Sequence, residues 1–128
     1  MTALLWLAAI AAGTVHVLIF CMESLLWTTP GVRARFRQSP EQAEATRLFA
    51  FNQGFYNLFL ALGTFAGLAA VLTGHPRVGW TLVDWNCLFM LGAAVVLAGS
   101  APGMRRGAFI QGAAPLLFLV LSALRWVA

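Results

Sequence analysis

Residues 3–27 read ALLWLAAIAAGTVHVLIFCMESLLW, a run with a single carboxyl, Glu23, and a single imidazole, His16, set among apolar and small side chains. A helix needs about 20 such residues to cross a hydrocarbon core of about 30 Å. No basic residue precedes the run, and it is longer than a signal-peptide core, so it is expected to stay in place as a membrane span. The same reading extends outward to residues 48–72, LFAFNQGFYNLFLALGTFAGLAAVL, and to residues 78–99 and 108–127. Turn chemistry separates the runs: Thr28-Thr29-Pro30-Gly31, Thr73-Gly74-His75-Pro76 and Ser100-Ala101-Pro102-Gly103. The expected fold class is all-α, a four-helix transmembrane bundle in one domain over residues 1–128, with a first loop at 28–47. Composition agrees, since 61% hydrophobic and 9% charged residues leave more apolar surface than a soluble core of this length can hide.

The basic residues orient the bundle. All eight are arginine; Arg33, Arg35, Arg37 and Arg47 fall in the first loop and Arg105 and Arg106 in the third, leaving Arg77 and Arg125 for the other side. The positive-inside rule then places the first and third loops in the cytoplasm and both termini outside. Arginines that flank spans meet headgroup phosphates, so the expected partner is the lipid bilayer and not a nucleic acid. Cys21 and Cys87 lie within spans at no metal or redox spacing and read as core residues. Near the end of the first loop, Ser39-Pro40-Glu41-Gln42 has the form of a capping box with proline at the first helical position. Helix two is therefore expected to begin before the membrane does. Pro115 interrupts the hydrogen-bond ladder of helix four and predicts a mild kink.

Helical projection gathers the polar side chains. His16 and Glu23, seven residues apart, fall on one face together with Leu5, Ala9, Ala12, Phe20 and Trp27. About 10 Å of rise separates the two, enough to bracket a bound molecule or a water chain. Asn52, Gln53, Tyr56 and Asn57 span an arc of about 140° on helix two, and Gly63-x-x-x-Gly67 continues that side, which favours packing within the bundle over a dimer contact. Gln111, Pro115, Phe118, Ser122 and Arg125 align on helix four. These residues are expected to form a polar pocket in the cytoplasmic half of the bundle. Asp84 and Arg125, at similar depth near the outer end, are expected to pair. Asn, Gln and Tyr in spans also serve as helix-to-helix hydrogen bonds of about 0.6 kcal/mol each. A carboxyl is harder to assign to that role, because placing it at the middle of a span costs about 2.5–3.5 kcal/mol.

At these positions the chain resembles a bacterial family of small membrane proteins known as domain of unknown function 1304. The resemblance rests on His16-Val17-x-Ile19-Phe20-x-x-Glu23, Trp27-Thr28-Thr29-Pro30, Asn52-Gln53-Gly54-x-Tyr56-Asn57-x-Phe59-Leu60-Ala61 and Gln111-Gly112. It implies a multi-pass protein of the bacterial inner membrane and brings no established activity. The expected function is binding of a small lipophilic molecule, or acid/base chemistry on it. His16, Glu23 and Tyr56 are the candidate catalytic groups, and Asn52, Gln53, Asn57 and Gln111 orient the ligand. Enzyme and binding protein both stay open. The alternatives are a proton-coupled transporter working as a homodimer and a structural membrane subunit. No fingerprint names a cofactor, and the spacing of His16, Glu23 and His75 does not suit one shared metal.

Overall fold

The computed structural model describes residues 2–127; Met1 and Ala128, the ends of the expected domain, lie outside the described residues. Helix α1 (Thr2–Phe20) runs directly into a π turn at Cys21–Leu25. A short helix α2 (Pro30–Phe36) follows, then α3 (Pro40–Leu72), α4 (Pro76–Ser100) and, after one 3-10 turn at Pro102–Met104, α5 (Arg105–Val127). No strand occurs among the described residues. Four stretches are long and apolar enough to be candidate membrane spans: Thr2–Leu25, Pro40–Leu72, Pro76–Ser100 and Pro102–Arg125. Their most apolar windows are between 22% and 33% buried inside the chain, so most of their apolar surface faces outward, as a lipid-facing bundle requires.

Each boundary has a local cause. Proline stands at the start of α2, α3 and α4, where its missing N–H would lack a partner in any case. The expected capping box is formed: Ser39 Oγ accepts from the Gln42 backbone N–H at 3.2 Å, and the Ser39 N–H donates to Gln42 Oε1 at 2.9 Å. At 33 residues, α3 is about 50 Å long. It is longer than a hydrocarbon core is thick, and it starts at Pro40, ahead of the apolar run at 48–72. The seven-residue α2 is a helix within what the sequence presented as loop. It ends at Arg37, whose left-handed backbone (φ 57°) closes the turn. Helix α5 continues through Pro115, which is fully buried.

The helices pack as a closed ring in chain order, α1 against α3, α3 against α4, α4 against α5 and α5 back against α1, with α3 and α5 on a diagonal. Leu5, Ala8, Ala9, Ala12, Leu68, Val83, Cys87, Met90 and Phe118 form the core. The Gly63-x-x-x-Gly67 motif serves the bundle: a Cβ at Gly67 would stand 2.7 Å from the Gly79 carbonyl, and one at Gly63 would stand 2.7 Å from the Asn86 amide. At Gly67 the backbones of α3 and α4 come too close to admit a side chain, and at Gly63 the space is filled by the Asn86 side chain. Near the termini, Trp80 stacks on Phe118 with ring centroids 6.2 Å apart and meets Trp6 edge-on at 5.8 Å. Among the described residues the expected Asp84–Arg125 ion pair is not found; the Arg125 guanidinium lies 4.7 Å from the centroid of the Trp80 ring. A large indole within reach offers a cation–π contact without the cost of desolvating a carboxylate.

Candidate functional site

The stripe that carries His16 points inward as the projection requires: Leu5, Ala9, Ala12 and His16 are at most 1% exposed. Glu23 leaves that stripe. From Cys21 onward the backbone bonds five residues back, with the Leu26 N–H donating to the Cys21 carbonyl at 3.0 Å, and the wider turn lags the α-helical phase. Four contacts with α3 hold this register. The Phe20 ring meets Phe55 with centroids 5.2 Å apart, Ser24 Oγ donates to the Phe51 carbonyl at 2.8 Å, and Trp27 Nε1 donates to the Ala43 carbonyl at 3.0 Å and to Thr46 Oγ1 at 3.2 Å. Gly54 permits the seam. A Cβ there would collide with Ser24 Oγ and stand 3.0 Å from the Ser24 backbone nitrogen.

The turn thereby delivers Glu23 to α3. Asn57 Nδ2 donates to Glu23 Oε2 at 2.9 Å and to the Gln53 carbonyl at 3.1 Å. Asn57 itself is buried, so it acts as a fixed anchor beneath the carboxyl. Beside it opens a groove of about 400 Å³ lined by Glu23, Trp27, Thr46, Phe49, Ala50, Asn52, Gln53 and Tyr56, within the volume range of small-molecule sites. The groove lies on the outer side of the α1–α3 seam, at the end of the bundle that carries the first loop. Tyr56 is 65% exposed there. Asn52 and Gln53 are exposed as well, and Asn52 Nδ2 satisfies the Leu48 carbonyl of its own helix at 2.8 Å.

Of the residues singled out from the sequence, Glu23, Asn52, Gln53 and Tyr56 thus share one groove, with Asn57 behind them. His16 and Gln111 stand apart. The His16 ring is fully buried; its Nδ1 bonds the Ala12 carbonyl at 2.9 Å, and its Nε2 has no hydrogen-bond partner among the described residues. Gln111 is half-buried on α5, diagonal to α3 across the ring. Sequence reasoning passed over Trp27, Thr46, Phe49 and Ala50 as lining. The signal for the last three was present: positions 46, 49, 50, 53, 56 and 57 follow helical spacing and extend the polar arc of α3 by two turns. Trp27 was placed on the His16 stripe and reaches the groove through the π turn. A second hollow of about 360 Å³ on α4, lined by Trp85, Leu88, Phe89, Gly92 and Ala93, carries no polar side chain. Among the described residues no three His, Cys, Asp or Glu side chains gather as a metal site.

Comparison with curated proteins and with solved structures found no match. The family model described as Protein of unknown function (DUF1304) matches residues 10–123, a span that contains the π turn, the polar arc of α3 and Gln111. The chain, an all-helical bundle of four candidate transmembrane helices, therefore belongs to the DUF1304 family.

Proposed function

We propose that the groove between the π turn and α3 is a membrane-level binding site for a small lipophilic molecule whose polar group docks on Glu23, with that carboxyl available for acid/base chemistry on it. The observation that carries this reading is the state of the Glu23 carboxyl. Asn57 holds one oxygen, Oε2, at 2.9 Å, while Oε1 accepts no hydrogen bond from a described residue and the side chain forms part of the groove wall. A carboxyl within a span is costly to keep. One that is anchored on one oxygen and open on the other is arranged to receive a donor. Asn52, Gln53 and Tyr56 orient the ligand at the rim. His16 lies outside the groove, so proton exchange with the ligand rests on Glu23. The distribution of arginines supports a cytoplasmic position for this end of the bundle.

Purification in a mild neutral detergent, followed by mass spectrometry of co-purifying small molecules, tests the reading. The wild-type chain is expected to retain a lipophilic compound that Glu23→Gln and Tyr56→Leu release. Identical small-molecule content in all three proteins would overturn it.

A further inference from the structure

The charge facing the groove is one-sided: its lining holds one carboxyl and no cationic side chain. Part of its polar lining is bonded internally. Trp27 Nε1 is committed to the Ala43 carbonyl and Thr46 Oγ1, and the Thr46 hydroxyl to the Gln42 carbonyl at 2.8 Å. Asn52 Nδ2 is committed to the Leu48 carbonyl at 2.8 Å. Because that partner can only accept, the orientation of the Asn52 amide follows, with Oδ1 turned away from the helix backbone. What remains toward the groove is the open oxygen of Glu23, the Asn52 and Gln53 amides, the Tyr56 hydroxyl and the rings of Trp27, Phe49 and Tyr56. No arginine or histidine lines it. Arg47 pairs at the surface with Glu44 at 3.5 Å, and Arg33 Nε donates to the Thr28 carbonyl at 3.1 Å.

A carboxyl, further acceptors and three aromatic rings around one hollow are the elements that recognise an organic cation, since the ring faces and the carboxylate both present negative potential. We infer that the ligand of this groove is a lipophilic organic ammonium ion, its charged head against Glu23 and the rings of Trp27 and Tyr56 and its apolar body along Phe49 and Ala50. This rests on the groove being the binding site proposed above and names the class of molecule it takes. An anionic or phosphate-bearing head finds no cationic partner in the lining. A neutral lipophile gains the apolar wall but brings no positive charge to the carboxylate and the ring faces. The preference for the ammonium over a neutral molecule of the same shape is expected to be at least about tenfold.

The test uses the full chain in neutral detergent and equilibrium dialysis of three probes of closely similar shape: benzyltrimethylammonium, the uncharged neopentylbenzene and the anionic phenylmethanesulfonate. The ammonium is expected to bind best and the sulfonate not at all. Glu23→Gln is expected to abolish the preference for the ammonium while neopentylbenzene still binds. Glu23→Asp, which keeps the charge, is expected to retain the preference, and Tyr56→Leu to reduce it. If neopentylbenzene binds as well as the ammonium, or if Glu23→Gln leaves their ratio unchanged, the cation reading is overturned while the groove remains a binding site. If no probe binds, both readings are overturned. Repeating the measurement in bilayers of phosphatidylcholine and of phosphatidylglycerol separates two sources of the ammonium. Weaker probe binding in phosphatidylcholine assigns the site to a lipid headgroup, and equal binding assigns it to a free organic cation.

Discussion

Replacing Gly54 by alanine tests the seam that brings Glu23 to the groove. A Cβ at this position would collide with Ser24 Oγ and sit 3.0 Å from the Ser24 backbone nitrogen and 3.1 Å from its Cβ. Ser24 Oγ can rotate away, at the loss of its hydrogen bond to the Phe51 carbonyl, which is worth about 0.5–1.5 kcal/mol. The backbone nitrogen cannot rotate, so the π turn and α3 must separate by a few tenths of an ångström; overpacking of this kind costs about 1–3 kcal/mol. Alanine recovers about 0.5–1 kcal/mol from its better helix propensity. The net expectation is a loss of about 1–3 kcal/mol, read as a fall in Tm on the order of 5–10 °C in a thermal unfolding assay in detergent. Gly92→Ala supplies the control, because a Cβ there meets nothing within 4 Å and only the propensity gain applies. Ser24→Gly in the Gly54→Ala background removes the opposing side chain and should restore part of the loss. If Gly54→Ala proves as stable as Gly92→Ala, close contact at Gly54 does not hold the π turn, and the account of how Glu23 reaches α3 fails.

Asn57→Ala removes the donor to Glu23 Oε2 and should lower stability by about 1–2 kcal/mol, visible as a reduced Tm; Glu23→Gln in that background should recover part of it, and additive losses would show that the two side chains do not interact. Near the termini, Trp80→Leu should lower the Tm by several degrees because it removes the ring beneath Arg125 and between Trp6 and Phe118, whereas Asp84→Asn should change it by no more than about 1 °C; a large effect at Asp84 would revive the ion pair with Arg125. Six of the eight arginines lie at the end of the bundle that carries the first loop, so a reporter fused to the C-terminus should be active only outside the cytoplasm, and cytoplasmic activity would invert the orientation.

The number of spans, their approximate limits and the start of α3 are properties of the sequence alone. Apolar length decides whether a segment can cross a bilayer, and a capping box such as Ser39 with Gln42 satisfies its donors within four residues whatever surrounds it. The inward face of α1 as far as His16, and that of α5 through Pro115, Phe118 and Ser122, followed from constant helical phase for the same reason. Beyond His16 that constancy ends. A bond five residues back instead of four is a small local change whose choice depends on partners distant in sequence, Ala43, Thr46, Phe51 and Phe55 among them. Projection at a fixed angle therefore put Glu23 on the face of His16, about 10 Å along it, while packing turned it toward Asn57. The same limit applies to the polar arc of α3. Projection groups Asn52, Gln53, Tyr56 and Asn57 but does not say which neighbour they meet, and only the ring order of the helices, with α5 diagonal to α3, buries Asn57, leaves the other three on an open groove and separates Gln111 from them. Periodicity records which residues share a face, and tertiary packing decides what that face touches.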